Sequence, residues 1–220
     1  MTKFVKNPAN PRLNVESFRS ESIANPRYAS FDHCFNYFRE HWETGQTARL
    51  ASKSGMQLSC LHLGYYLASW GMFRGKAALL QHNSHALLGA VEKIAAAPEI
   101  IWTTNVEEYD ELRIEAILKF KDTLKEVVPG GQSDTLTSKI MLGVFGCVPA
   151  FDTNFRKGFH VSSFSPSALI KVHDYYNKHK EIIEGCRAYT IGFDGKPTKR
   201  RYTQAKVIDM IFFIEGAKKI

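Results

Sequence analysis

The chain has 220 residues, 44% hydrophobic and 23% charged, a size and composition suited to one substantial domain with its own core. Its formal net charge of +7 favours a polyanionic partner such as nucleic acid. No apolar run reaches the roughly 18–20 residues of a membrane span, and Met1-Thr2-Lys3-Phe4 opens no signal-peptide core, so a cytoplasmic protein with no membrane partner is expected.

Residues 1–30 are rich in Asn, Pro, Ser and Arg, with Asn7-Pro8, Asn10-Pro11 and Asn25-Pro26. They read as an extended N-terminal arm, and 31–220 as a single helical domain. A first helix is expected from about Ser30, capped by Ser30 or Asp32, to just before Gly45. Residues 56–73 are apolar nearly all round, which predicts a buried central helix. Residues 76–96 continue as helix, with Leu79, Leu80, Leu87, Leu88, Val91 and Ile94 at helical spacing, until Pro98. Residues 106–127 form an amphipathic helix whose inner face holds Tyr109, Leu112, Ile117, Leu118 and Phe120, with acids leading and lysines following as the helix dipole favours.

Pro129-Gly130-Gly131 breaks that helix. Ser133 or Asp134 then caps a helix over about 135–145, Asp152 one over 153–159, and Ser165-Pro166 one over 166–184. Residues 187–202 alternate around Asp194-Gly195 and predict a small β-hairpin. Thr203 caps a final helix over 204–215. The expected fold class is all-α, a compact multi-helix domain with one C-terminal hairpin.

Charge is uneven along the chain. Residues 99–126 carry an acidic excess, whereas 171–220 hold eleven Lys and Arg against six Asp and Glu. Such asymmetry arises when one face meets phosphate, and equally on an ordinary solvated surface. Cys34, Cys60, Cys147 and Cys186 are too widely spaced for a zinc or disulfide framework. His62, His82 and His85 have no acid or thiol at matching spacing, so neither metal nor other cofactor is expected.

The sharpest pattern is Thr137-Ser138-Lys139-Ile140-Met141-Leu142-Gly143-Val144-Phe145-Gly146-Cys147-Val148-Pro149-Ala150-Phe151-Asp152-Thr153-Asn154-Phe155-Arg156-Lys157-Gly158. A short apolar helix runs into a turn, and an Asp stands at the mouth of the next helix. This segment resembles the end of the catalytic half of helix-hairpin-helix DNA glycosylases, where such an Asp faces an extruded base. The resemblance implies an all-α fold over roughly residues 55–185, a DNA partner, and Asp152 stabilising the glycosyl cation as the base leaves. A carboxylate held ionised at a helix N-terminus suits that task. The lysine of the bifunctional members stands further upstream of the Asp, where this chain has Ser133 and Asp134. The resemblance therefore implies a monofunctional enzyme, with Lys139 lining the site or holding a phosphate. The hairpin with separated glycines that holds a phosphate in those enzymes is replaced by the adjacent pair Gly130-Gly131.

Nucleic-acid contacts are expected from Asn154, Arg156 and Lys157, which follow Asp152, from Arg74 and Lys76 in the Trp70–Lys76 turn, and from Lys199, Arg200 and Arg201 on the hairpin. Capping alone also accounts for Asp152. The competing reading is therefore a non-catalytic helical module that binds nucleic acid or protein. Oligomeric state is not read from the sequence.

Overall fold

The computed structural model describes residues 10–24 and 26–218. Twelve α-helices are assigned among them: α1 Pro11–Ala24, α2 Ser30–Glu43, α3 Thr47–Leu50, α4 Met56–Ser69, α5 Leu88–Ala95, α6 Glu99–Thr103, α7 Glu111–Val127, α8 Asp134–Phe145, α9 Thr153–Phe159, α10 Pro166–Lys178, α11 Lys180–Gly185 and α12 Gln204–Ala217. Strands β1 Tyr189–Ile191 and β2 Pro197–Arg201 pair antiparallel, with Tyr189 opposite Arg201 and Ile191 opposite Pro197. The fold is all-α with one hairpin. No helix among the described residues is long and apolar enough to cross a membrane.

Local signals set most of the boundaries. Ser133, Asp152, Ser165 and Thr203 each accept a backbone N–H from the residue three positions on. Gly146 ends α8 in the left-handed region, its amide donating to the Met141 and Leu142 carbonyls. The core is built on α8, buried along its whole length from Leu136 to Phe145, and on α12, buried from Gln204 to Phe212. Helices α2, α4 and α7 pack on α8, and α1 and α9 pack on α12. The α9–α12 crossing is unusually close. A Cβ on Gly216 would lie 1.8 Å from the Asn154 carbonyl oxygen, and one on Gly158 2.2 Å from that of Phe212.

The structure departs from the sequence reading at several places. Within the arm read as extended over 1–30, residues 11–24 are helical and Pro26–Ala29 form a 3-10 turn, while residues 1–9 lie outside the described residues. The reason is local. The Asn10 side chain accepts the Leu13 amide at 3.1 Å, and Pro11 sits at the first helical position, where its missing donor costs nothing. Residues 76–96 are not one helix. Gly75 is left-handed and Asn83 is extended, so two 3-10 turns, Ala78–Gln81 and Ser84–Leu87, precede α5. The expected 166–184 helix divides at His179. α4 is not buried all round, for Leu58, Leu61 and Tyr65 are exposed, and on α7 Leu112 faces outward. Neither Ser30 nor Asp32 caps α2. Asp32 instead accepts the Ile191 amide at 2.8 Å and the Tyr202 hydroxyl at 3.1 Å, tying the hairpin root to α2.

Candidate functional site

The turn after α8 is fixed by two side chains. Ser138 of α8 accepts the Phe151 amide at 2.8 Å, and Asp209 of α12 accepts that of Ala150 at 3.1 Å. Two buried amides of the Pro149-Ala150-Phe151 turn are thereby satisfied, and the chain enters α9 with Asp152 at its N-cap. Asp152 Oδ1 accepts the Phe155 amide at 2.9 Å. Oδ2 lies 3.5 Å from Lys139 Nζ. The Lys139 ammonium also donates to the Trp70 carbonyl at 3.0 Å, at the C-terminal end of α4, where positive charge is favoured.

A second ion pair faces the first. Lys206 Nζ is 3.1 Å from Asp209 Oδ2, one turn apart on α12, with the side chains 3% and 6% exposed. For Lys139 and Asp152 the values are 6% and 13%. Four charged side chains, two of each sign, thus share a cavity of about 10 Å³ closed by Tyr66, Trp70 and Phe213, room for one water at most. Burial pushes the Asp209 carboxyl up, against the pull of Lys206, and Asp152 pushes in the same direction as burial. Burial holds the Lys139 ammonium below its usual range, while Asp152 and Asp209 oppose that shift. Lys206 also lies 4.6 Å from the ring centres of Phe18 and Phe31 and 5.2 Å from that of Trp70.

A fifth charge adjoins the cluster. Asp32 of α2 feels Lys206, and burial pushes its carboxyl up to about 6, against the Ile191 amide, the Tyr202 hydroxyl, Lys206 and Arg19. The hairpin root and the buried ion pairs therefore meet at Asp32.

Of the residues singled out in the sequence, the fold brings Lys139 and Asp152 together. Arg74 and Lys76 are exposed in the turn that begins at Trp70, whose carbonyl Lys139 binds. Asn154 is half-buried at the α9–α12 crossing, its carbonyl against Gly216. Arg156, which donates to the Ser162 carbonyl at 3.2 Å, lines a shallow surface groove of about 300 Å³ with Lys157. The hairpin arginines are engaged elsewhere: Arg200 grips Glu43 of α2 through Nε and Nη2, and Arg201 donates to the Arg187 and Glu184 carbonyls. Lys199 is exposed. Among the described residues no group of three or more His, Cys, Asp or Glu could hold a metal ion.

Sequence reasoning missed Lys206, Asp209 and the aromatic wall. The available signal was Lys206-x-x-Asp209 inside a stretch, residues 205–214, otherwise made of Ala, Val, Ile, Met and Phe. In comparisons with known proteins, no family model, curated protein or solved structure matches the chain.

Proposed function

We propose that this protein binds DNA and releases a base by cleaving the N-glycosidic bond, with Asp152 as the carboxylate that stabilises the glycosyl cation. One observation carries the reading: two buried lysine–aspartate pairs meet at the α8–α9 junction behind an aromatic wall. Replacing buried ion pairs with apolar groups of like volume is often neutral or stabilising, so stability alone gives little reason to keep four charges there. Titratable groups perturbed by burial together with a specific charge partner are candidates for a functional site.

In this reading Lys139, already engaged by the Trp70 carbonyl, pairs with the Asp152 carboxylate. The anion then faces positive charge as it develops on the sugar, in surroundings where little water weakens the interaction. Lys157, Arg74 and Lys76, which are exposed, and the half-buried Arg156 supply positive charge for the flanking phosphates. The base and lesion class are left to experiment.

The test is a panel of duplexes bearing damaged and modified bases, incubated with wild type and with Asp152→Asn and scored for abasic sites. Release by wild type and loss in Asp152→Asn, with binding retained, is the expected outcome. Full activity in the variant overturns the mechanism. A second reading, a non-catalytic nucleic-acid-binding module, is favoured by the size of the cavity, which admits no base in this conformation. It predicts salt-dependent binding and no release from any duplex.

A further inference from the structure

Trp70, in the wall of the cavity, is stacked with two rings from other parts of the chain. Trp70, following α4, has Tyr28 at 4.8 Å and Phe18 at 6.0 Å between ring centres, with interplanar angles of 24° and 5°. Phe18 and Tyr28 lie 5.4 Å apart at 21°. Phe213 meets Trp70 and Phe18 edge-on. Near-parallel layering at these spacings is also how a nucleobase sits on an aromatic side chain.

The polar atoms bordering the stack are poorly matched to hydrocarbon rings. Trp70 Nε1 is buried with no hydrogen-bond acceptor, a state that carries the full cost of desolvating a donor. The Lys206 ammonium has one carboxylate and three ring faces around it. A ring bearing carbonyl oxygens or unprotonated nitrogens could accept from both groups, whereas Phe18 offers only its π-face.

The element that brings Phe18 is a helix with one face in solvent, packed chiefly on α12. Over residues 11–21, α1 buries Asn14, Val15 and Phe18, and Leu13 is exposed. Its polar ties run from Asn14 to the Ile211 carbonyl, to Glu215 and to Lys218, all on or next to α12. Helix α8, by contrast, is buried from Leu136 to Phe145. A helix with one face in solvent opens at lower free energy than one buried in the core.

We infer that the space over Trp70 is a binding slot for a planar heteroaromatic ring, filled in the closed chain by the protein's own Phe18 and Tyr28, and that α1 withdraws to admit the ring. Resting on the DNA reading above, this assigns the occupant as an extruded nucleobase, stacked on Trp70 beside Lys206 with Asp152 across the cavity. It also explains how a cavity with room for one water can belong to a base-handling site. A ligand that must displace a built-in occupant binds more weakly by the fraction of chains that are open, so loosening the occupant tightens binding.

The experiment uses the full chain and a duplex in which 2-aminopurine, whose fluorescence reports unstacking and restacking, stands in a mispair. Phe18→Ser and Tyr28→Ser are expected to bind it about tenfold more tightly than wild type, the shift produced when the open fraction rises tenfold. Trp70→Leu is expected to lose the fluorescence change, with circular dichroism confirming its fold. Hydrogen–deuterium exchange on wild type needs no variant: the probe should raise exchange in residues 11–24 and leave α8 protected. Unchanged or weaker affinity in Phe18→Ser and Tyr28→Ser, or an α1 that stays protected in the complex, overturns the inference. The two proposals fail separately. Base release with α1 still protected leaves excision standing and removes the slot. Exposure of α1 and extrusion of the probe, with no base released from any duplex, leaves the slot standing and removes excision.

Discussion

The coupling between Lys139 and Asp152 can be measured with a double-mutant cycle using Lys139→Met and Asp152→Asn. At 3.5 Å and an effective dielectric of 20, two unit charges attract by about 5 kcal/mol, an upper figure for a pair partly open to water. Asn still offers an oxygen to the Phe155 amide, so the cap survives and its loss does not enter the cost. Asp152→Asn instead leaves the Lys139 ammonium buried with only the Trp70 carbonyl as a direct partner, and should destabilise by about 2 kcal/mol. Lys139→Met strands the carboxylate at a similar cost. With both changes no charge is left unpaired at that position, so the double variant should cost about 2 kcal/mol rather than 4, a coupling near 2 kcal/mol. Urea unfolding at neutral pH on all four proteins gives the number. A coupling below about 0.3 kcal/mol, the usual error of additivity, would refute the claim that these charges act as one buried unit.

Three further outcomes are expected. Gly216→Ala places a carbon 1.8 Å from the Asn154 oxygen and should cost about 3 kcal/mol or more, seen as a lower melting temperature; Gly158→Ala, at 2.2 Å from the Phe212 oxygen, should behave alike, and a neutral effect at both would show that the helices separate freely. Asp32 takes up its proton more readily folded than unfolded, so its contribution is fully present below about pH 4 and is lost as pH rises through about 6. From 3.8 to about 6 that amounts to about 3 kcal/mol. Asp32→Asn should therefore flatten this part of the stability profile, and parallel wild-type and variant profiles would rule the assignment out. Arg156→Gln and Lys157→Gln should each lower the salt slope of DNA binding by about 1, as read by fluorescence anisotropy at several salt concentrations, if the groove they line meets phosphate; an unchanged slope places the contact elsewhere.

The chain announces its helix starts and stops more clearly than its interior. Ser133, Asp152, Ser165 and Thr203 act within three residues of themselves, so their capping is readable without any tertiary knowledge. Asn10-Pro11 is ambiguous at the same range, because that dipeptide marks both turns and helix N-termini. Over residues 76–96 Leu79, Leu87, Val91 and Ile94 are buried as their spacing suggests, whereas Leu80 is exposed. Spacings of three and of 3.6 differ too little over so short a stretch to separate 3-10 turns from α-helix. Half of the candidate site was visible for the same reason. Lys139 and Asp152 belong to one continuous motif, while Lys206 and Asp209 look in sequence like any solvent-facing pair one turn apart. Only the packing of α1 against α12 and the closure of the Phe18, Phe31 and Trp70 rings around Lys206 show those charges to be buried, and that information lies in contacts separated by well over a hundred residues.

The two glycines where α9 meets α12 have a consequence for where movement can occur. Main chain rests on main chain there, without intervening side chains that could change rotamer and let one helix ride over the other. The anchor point of Asp152 is thereby clamped to the C-terminal helix. If the space over Trp70 opens as proposed, the N-terminal helix is the part that moves, and the Asp152 carboxylate keeps its place.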